Sequence, residues 1–333
     1  MNVRVGVIGA GVMGADHIRN LHAAVSGAEV IAVADVDADR AYRIAAEVGA
    51  EGFTDPYALI SSPSVDAVVI ASHDSTHADL VLACLEAGTP VLCEKPLALT
   101  VDECRRVVHA HDAATSEIEL PLLTVGFMRR FDPGYVELKR TVTSRAIGEP
   151  LIVHCSSRTV TSGPGGDSEA SITGSAIHEL DIVPWLLDSP VLEVSWQTTR
   201  ASTRIGHRRD PQFMLLRTED GVLTTVELFL NAGYGYDIRC EVIGEDGASR
   251  LVEPVRTVTD HALAHSYSYS KDWVPRFADA YRLQLQEWVD AIAGGRPSTL
   301  ASAEDGLRAS VVAQALITSM HEGGRTVTID SSA

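Results

Sequence analysis

The chain has 333 residues, more than one hydrophobic core usually supports, so its length favours two domains. Hydrophobic residues make up 45% and charged residues 22%, a balance typical of folded globular proteins and not of disordered ones. The formal net charge of -18 disfavours nucleic acid and anionic membrane surfaces as partners.

The N-terminal residues and the cysteines indicate in which cellular compartment the protein is expected. The chain starts MNVRVGVIGAG, without the basic and apolar regions of a signal peptide, and no apolar run reaches the roughly 20 residues of a membrane-spanning helix. The five cysteines are scattered, odd in number and without metal-type spacing. We therefore expect a cytoplasmic protein with reduced thiols.

The first part of the chain alternates short apolar, β-branched runs with helical stretches. This pattern predicts a parallel sheet covered by helices on both faces, a Rossmann domain over residues 1–124. The predicted strands are Val3–Ile8, Val30–Ala34, Ala67–Ala71, Pro90–Cys93 and Leu122–Gly126.

From residue 125 to residue 333 the pattern predicts a second, α+β domain with an open, mostly antiparallel sheet, because strands follow one another with turns between them. Thr161–Ser171 is interpreted as a mobile loop, and Arg276–Ala293 and Ala303–His321 as helices. The predicted strands are Leu151–Cys155, Glu193–Thr199, Gln212–Arg217, Val222–Leu230 and Asp237–Gly244.

A glycine motif directly follows the first predicted strand. It reads Gly9-Ala10-Gly11-Val12-Met13-Gly14, the GxGxxG spacing that opens a helix in dinucleotide-binding folds. Gly9 permits a tight turn, Gly11 lets the backbone approach a pyrophosphate, and Gly14 allows close packing of the helix. The motif predicts a dinucleotide site that includes Val12 and Met13.

Asp35 ends the second predicted strand, about twenty residues after the glycines, where an acidic side chain accepts hydrogen bonds from the adenosine ribose. A carboxylate there repels a 2′-phosphate, so the expected cofactor is NAD and not NADP. Arg40 is the nearby base that would favour NADP.

A Glu-Lys-Pro motif lies at the end of the fourth predicted strand, in Cys93-Glu94-Lys95-Pro96. It resembles the motif of the Gfo/Idh/MocA oxidoreductase family, and further blocks resemble the inositol 2-dehydrogenases of that family over nearly the whole chain. The other blocks are Val125–Asp132, Ile147–Pro150, His178–Asp181, Tyr234–Ile238 and Asp272-Trp273.

The resemblance implies a Rossmann domain, a second domain that often mediates oligomer contacts, and NAD-dependent oxidation of one hydroxyl of a cyclic polyol or sugar. It places Met128, Arg129, Asp181 and Tyr236 in the substrate pocket, and Ser72, His77, Glu94 and Lys95 on the cofactor side. A small-molecule cyclitol or sugar and a homo-oligomer, a dimer or a tetramer, are the expected partners.

Oxidation of a secondary alcohol requires a base for the hydroxyl proton and a positive donor beside the reacting oxygen. Lys95, at the carboxyl end of a parallel strand, is the candidate donor. His178 is the candidate base, because an ordinary histidine pKa of about 6.5 suits proton transfer near neutral pH. By helical spacing His178 shares a face with Gly174 and Asp181.

Gly174 departs from the family pattern, which has an aspartate four residues before this histidine. Asp181, or Asp167 and Glu169 in the preceding loop, could replace the missing carboxylate. No metal site is expected, because the histidine pairs 73/77 and 261/265 lack a third ligand nearby in sequence.

The sequence therefore predicts an NAD-dependent dehydrogenase of an inositol-like ring. Two alternatives stay open: a dehydrogenase of a different ring, such as an amino-cyclitol, hexose or glucoside, or a non-catalytic NAD-binding sensor. Gly174 favours the first alternative, whereas the presence of both Lys95 and His178 argues against the second.

Overall fold

The computed structural model describes residues 2–115, 122–162, 166–205, 208–252 and 257–330. The chain forms two compact units, one made of the residues up to Phe131 with Asp279–Ser310, the other of Asp132–Ala278 with the residues from Val311 on. The domain boundary predicted after residue 124 stays a prediction.

The first unit contains a parallel sheet whose strands are short, apolar and buried. The strands are β1 Val3–Ile8, β2 Ala28–Ala34, β3 Glu51–Phe53, β4 Ala67–Ile70, β5 Val91–Glu94 and β6 Leu123–Gly126. Within the described residues their order is β3-β2-β1-β4-β5-β6, the doubly wound arrangement in which the order reverses beside β1. Such sheets bind ligands outside the carboxyl ends of the strands at that reversal. The predicted parallel Rossmann sheet is confirmed.

Helices connect these strands. They are α1 Val12–Ala23, α2 Ala38–Val48, α3 Pro56–Ile60, α4 His77–Glu86 and α5 Val101–Thr115. Helices α2 and α3 begin at aspartates whose side chains cap them. The Asp37 side chain accepts the backbone N–H of Arg40 and caps α2, whereas α1 begins at Gly11 without a side-chain cap. The start of α1 therefore leaves its first backbone N–H groups open toward a ligand.

The second unit contains a mixed sheet with the order β12-β11-β7-β10-β9-β8-β15 in the described part of the chain. Its strands, and a separate hairpin of β13 and β14, are β7 Pro150–Arg158, β8 Val191–Thr198, β9 Gln212–Thr218, β10 Leu223–Phe229, β11 Asp237–Gly244, β12 Ala248–Arg250, β13 Thr259–His261, β14 Ala264–Ser266 and β15 Val327–Thr328.

The predicted open, mostly antiparallel sheet is confirmed, with one exception. Strands β7 and β10 pair in parallel, with Leu223 opposite Ile152. These two positions are 71 residues apart in sequence, so turn signals between consecutive strands could not predict the pair. The short strands β3, β12, β13, β14 and β15 were also not predicted, because a run of two or three residues carries no readable alternation.

The later helices are α6 Pro133–Thr143, α7 Ser168–Ser171, α8 Ile177–Leu187, α9 Trp273–Arg276, α10 Ala278–Gly294 and α11 Ala303–His321. The prediction of one helix over Arg276–Ala293 was wrong at its start, because the helix there divides into α9 and α10. In α10, Leu285, Trp288 and Val289 join the hydrophobic core of the first unit with residues of β1 and α1.

The predicted loop Thr161–Ser171 is wrong at its end, where Ser168–Ser171 forms α7. The Asp167 side chain caps α7 by accepting the backbone N–H of Ala170, so the acidic residue in this polar run starts a helix. Residues 163–165 of the predicted loop lie outside the described residues.

Candidate active site

The turn between β1 and α1 has no room for side chains at two of its glycines. Gly9 has a φ of +92°, and a Cβ built on it would lie 2.5 Å from the carbonyl oxygen of Ala71. A Cβ on Gly14 would lie 1.7 Å from the carbonyl oxygen of Gly9. Gly11 meets nothing within 4 Å, so its side of the turn is open. The turn therefore offers backbone N–H groups to an approaching pyrophosphate.

A cavity of about 660 Å³ lies against this turn, a volume in the range of small-molecule sites. Ser72 and Thr76, after β4, bound it on the other side, with their hydroxyl oxygens 2.7 Å apart. The lining includes Gly9, Gly11, Val12, Met13, Asp35 and Ser72 of the predicted cofactor residues, together with Arg40. The structure therefore brings these predicted residues together around one cavity of the first unit.

Asp35 lies at the end of β2, 8% exposed, and its carboxylate has four donors. Backbone N–H groups of Ala10 and Asp37 donate to it at 2.7 and 2.9 Å. The Arg40 guanidinium donates through Nε and Nη2, at 3.0 and 2.7 Å, one to each carboxylate oxygen. Burial alone would raise the pKa of Asp35, but hydrogen bonds from Arg40 and the backbone hold it below its ordinary value. The sequence located both residues but did not predict that they pair.

Glu94, at the end of β5, and His17, on α1, form a buried pair in the first unit. The ring Nε2 of His17 donates to Glu94 Oε1 at 2.8 Å, and the backbone N–H of Lys95 donates to Oε2 at 3.2 Å. His17 is fully buried, and Glu94 is 6% exposed. Burial would raise the pKa of Glu94, but His17 and Lys95 together lower it below its ordinary value. Tyr281 of α10 contacts the His17 ring edge-on, with the ring centroids 5.8 Å apart.

His17 was not identified from the sequence. It lies on the buried face of α1 with Gly14, Ile18 and Leu21, so helical periodicity places a histidine among apolar residues. A lone histidine in such a position has no visible partner in sequence, because Glu94 is 77 residues away.

Lys95 is half-buried and follows Glu94 directly. Burial lowers the pKa of its ammonium below the ordinary 10.5, although the carboxylates of Glu94 and Asp74 favour the charged form. The guanidinium of Arg129 lowers it further. Lys95 therefore holds its proton less firmly than an ordinary lysine does, at the carboxyl end of β5.

His77, the first residue of α4, links two loops at the same edge of the sheet. Its Nδ1 lies 2.7 Å from the carbonyl oxygen of Pro96, and its Nε2 lies 3.3 Å from that of Ser72. Burial lowers the pKa of His77, against the effect of these carbonyls. Its contact with a dinucleotide stays a prediction, since the contacts of its ring in the structure are to the backbone.

Met128 and Arg129 lie in a short 3₁₀ helix, Met128–Phe131, after β6. Both side chains are 1% exposed. The neighbouring Arg130 donates to Asp305 of α11 at 3.2 Å. The same carboxylate accepts the backbone N–H of Ser302, whose hydroxyl in turn caps α11. This ion pair fixes the segment that carries the two predicted substrate residues.

In the second unit, His178 and Asp181 lie in α8, three residues apart as predicted, His178 half-buried and Asp181 buried. Gly174 lies in a π-helical turn, Ile172–Ala176, that directly precedes α8 and contains an additional residue. The helical face that it shares with His178 stays a prediction. A Cβ built on Gly174 would meet nothing within 4 Å.

Tyr236, 7% exposed, has a fixed environment in the same unit. Its backbone N–H donates to the Ser270 carbonyl at 2.9 Å, and its ring meets that of Phe277 edge-on. The Arg276 guanidinium lies 4.4 Å above the Phe277 ring and donates to Asp132 at 2.8 Å. Packing and an ion pair therefore hold the ring against which Tyr236 rests.

An ion-pair network not predicted from the sequence adjoins Tyr236. Arg158 donates to both carboxylate oxygens of Glu227 at 2.7 Å and to the hydroxyl of Tyr234 at 3.1 Å. The Tyr234 hydroxyl in turn donates to Asp237 at 2.5 Å. These contacts raise the pKa of Arg158 and fix both ends of the Tyr234–Asp237 segment that carries Tyr236.

The described residues contain no group of three or more histidine, cysteine or acidic side chains placed to hold a metal ion. In that same part of the chain, no helix has the length and apolar character needed to cross a membrane.

Comparison with known proteins shows similarity along the whole chain. The NAD-binding Rossmann model of the Gfo/Idh/MocA oxidoreductase family matches residues 3–117, and its C-terminal alpha/beta domain model matches residues 139–329. The chain is 57% identical to inositol 2-dehydrogenase 2 of Paenarthrobacter aurescens, with 100% of both chains covered. It is 47% identical to inositol 2-dehydrogenase 1 of Saccharopolyspora erythraea, covering 97% of this chain and 95% of that one.

Among solved structures, the chain is similar to myo-inositol dehydrogenase from Lactobacillus casei in complex with NAD(H) and myo-inositol. The TM-score is 0.94 at 32% identity, covering 100% of this chain and 98% of that chain.

We predict that His17→Leu destabilises the fold more strongly near neutral pH than at acidic pH. A lowered pKa means that Glu94 contributes stability above its unfolded pKa, and that this contribution is lost as pH falls through its folded pKa. Removal of His17 leaves the buried Glu94 carboxylate without its side-chain partner, which costs about 3 kcal/mol near pH 7 and less near pH 4. Urea denaturation at both pH values measures this difference.

His22→Leu is the matched control, because His22 lies on the same helix and is exposed. Its free energy of unfolding should change by at most about 0.5 kcal/mol. A loss from His17→Leu that is equal at both pH values, or no larger than that of the control, would show that the pair does not stabilise the fold through charge.

Proposed function

This chain belongs to the Gfo/Idh/MocA oxidoreductase family, and we propose that it is an NAD-dependent dehydrogenase that oxidises one secondary hydroxyl of an inositol-like cyclic polyol to a ketone. The observation that carries the proposal is the glycine turn and its cavity at the reversal of the parallel sheet, in a chain similar over its full length to inositol 2-dehydrogenases.

The residues around the cavity suit NAD. Gly9 and Gly11, with Val12 and Met13 at the start of α1, hold the pyrophosphate through backbone N–H groups, and Gly14 lets α1 pack closely against the turn. Asp35 accepts hydrogen bonds from the adenosine ribose. Ser72, His77 and Glu94 shape the loops that follow β4 and β5 on the cofactor side. When bound, NAD supplies the acceptor for the hydride that leaves the ring carbon.

Lys95 and His178 carry the proton and charge chemistry. The Lys95 ammonium donates a hydrogen bond to the reacting oxygen. It stabilises the negative charge that develops there as the substrate hydroxyl loses its proton. The neutral imidazole of His178 takes that proton. The hydrogen on the ring carbon leaves together with its bonding electron pair, as hydride, and the C–O bond becomes a carbonyl. Asp181, on the same face of α8, positions His178 or a substrate hydroxyl.

Met128, Arg129, Asp181 and Tyr236 contact the substrate in this proposal. An arginine donates and an aspartate accepts, which together suit neighbouring hydroxyls of an uncharged ring. Two features support this role: the 3₁₀ helix that carries Met128 and Arg129 is anchored by an ion pair, and Tyr236 is held by Ser270 and Phe277.

A cytoplasmic location is part of the proposal. All five cysteines are buried thiols, which suits a reducing compartment.

A homo-oligomer is also part of the proposal, because the sheet of the second unit has one face that is only half-buried. Burial alternates along β9 and β10, and the less buried positions include Phe213, Leu215, Leu223 and Phe229. Apolar side chains at adjacent positions of a sheet face are typical of a surface that meets a second copy of the chain.

The proposed activity is tested by the absorbance of reduced nicotinamide with NAD and a panel of cyclitols, hexoses and glucosides. We expect the highest kcat/KM for an inositol. Turnover confined to a hexose or a glucoside would contradict the substrate class, and binding of NAD without turnover on any ring would contradict the enzymatic assignment.

The lowered pKa of Lys95 predicts how kcat/KM changes at alkaline pH. Because its pKa is lowered, the ammonium loses its proton below pH 10.5, and kcat/KM for inositol oxidation should fall as pH rises through that lowered value. Lys95→Arg should give a slower enzyme without this decline, since arginine keeps its charge. Initial rates across alkaline pH, with circular dichroism to verify folding, measure both; a decline that persists unchanged in Lys95→Arg would assign it to another group.

Gly174 predicts a gain of activity. Gly174→Asp enters open space at ordinary backbone angles and adds an acceptor near His178, so kcat/KM on myo-inositol should rise about threefold or more. Gly174→Asn, equal in size but uncharged, is the control and should gain less. A loss on the best ring of the panel without gain on myo-inositol would instead show that the space accommodates a bulkier or amino-bearing substituent.

The proposed oligomer predicts the mass in solution. Light scattering at micromolar concentration should give a multiple of 35.6 kDa, and Leu215→Lys should reduce it by placing charge on the half-buried face. Val136→Lys, at an exposed position of α6, should leave the mass unchanged. A 35.6 kDa particle from the unchanged protein would contradict the proposal.

A further inference from the structure

Arg40 occupies the acceptor sites of Asp35 that a bound ribose needs. A carboxylate offers about four lone-pair positions. In this chain, two are filled by the backbone N–H groups of Ala10 and Asp37 and two by the Arg40 guanidinium. The ribose hydroxyls of NAD can therefore reach Asp35 fully only by replacing one of these donors.

Of the four donors, those of Arg40 are the ones that can move. The N–H groups of Ala10 and Asp37 belong to the turn after β1 and to the start of α2, and both are fixed by the fold. The Arg40 side chain is 38% exposed, and its Nη1 lies 3.7 Å from a second carboxylate, that of Asp37. A guanidinium displaced from Asp35 thus keeps an anionic partner in the same turn of α2.

We infer that Arg40 is a specificity-determining residue for the cofactor, one that competes with the ribose of NAD for Asp35. Once displaced, its positive charge stays beside the ribose 2′ position, in the cavity that both residues line. A cation there favours a 2′-phosphate, so Arg40 weakens the binding of NAD and strengthens that of NADP. Asp35 sets the preference for NAD over NADP, and Arg40 makes that preference smaller. This inference rests on the proposed contact of Asp35 with ribose and not on the substrate.

The test compares Arg40→Met with Arg43→Met by isothermal titration of each protein with NAD and with NADP, without any ring substrate. Methionine keeps an unbranched apolar stem and removes the charge. Arg43 lies on the same helix, is more exposed, and pairs with Glu47 at 3.1 Å, so its variant removes an equal charge without touching Asp35.

In Arg40→Met, the ratio of the Kd for NADP to that for NAD should rise about tenfold, with tighter NAD and weaker NADP, and Arg43→Met should keep the original ratio. Arg40→Lys retains a charge but loses the two-pronged contact, so it should bind NAD more tightly while keeping most of its affinity for NADP.

An unchanged ratio in Arg40→Met would overturn the inference, as would weaker binding of NAD, which would mean that Arg40 holds Asp35 in place. Thermal melting of each variant verifies that the fold is retained. The ratios of the two Kd values do not depend on catalysis. A protein that oxidised no cyclitol but gave the expected ratios would contradict the proposed substrate and support the role of Arg40. A wild-type protein that bound neither dinucleotide would overturn both.

Discussion

The buried carboxylate of Glu94 constrains the chemistry of the first unit. A carboxylate with so little exposure must have donors, since an unpaired buried charge costs several kcal/mol. It has two, the His17 ring and the Lys95 backbone N–H, and these fix the end of β5 against α1. Helix α1 also carries the glycine turn at its start, so one hydrogen bond relates the position of the pyrophosphate site to that of Lys95.

The same carboxylate affects the electrostatics of Lys95. Burial alone would favour the neutral amine, and Glu94 and Asp74 partly offset this by favouring the ammonium. A lysine in this balance has a pKa below the ordinary value, while the two carboxylates favour its charged form. Such a group suits an oxygen that is neutral in the substrate and partly negative during reaction, because the attraction grows as the charge develops.

The sequence predicted what depends on local patterns. The glycine motif, Asp35 at the end of β2 and Lys95 at the end of β5 follow from strand ends in a parallel sheet, and the structure places them at such ends. Partners distant in sequence could not be predicted: His17 with Glu94, Arg130 with Asp305, and the parallel pairing of β7 with β10. Their choice depends on tertiary packing, which one sequence does not display.

The π-helical turn before α8 illustrates a different limit. Residues Ile172–Ala176 have the composition of an ordinary helix start, and nothing in their spacing signals an additional residue in the turn. The spacing of 3.6 residues per turn, assumed between Gly174 and His178, therefore does not hold over the whole of this segment. Turns of this kind are frequent at functional sites, which is where local rules are most often broken.

The net charge of the chain and the groups that line the cavity affect the binding of a dinucleotide in different ways. A formal charge of -18 repels any dinucleotide, and NADP more than NAD because it carries an additional phosphate. This repulsion is screened within about 8 Å at physiological ionic strength, so most of the 45 acidic residues contribute little to the cavity. At hydrogen-bond distance the local groups decide: the N–H groups of the glycine turn, the Asp35 carboxylate, and the Arg40 guanidinium that pairs with it. In the proposed binding mode, cofactor choice thus depends on one carboxylate and one guanidinium more than on the acidity of the whole protein.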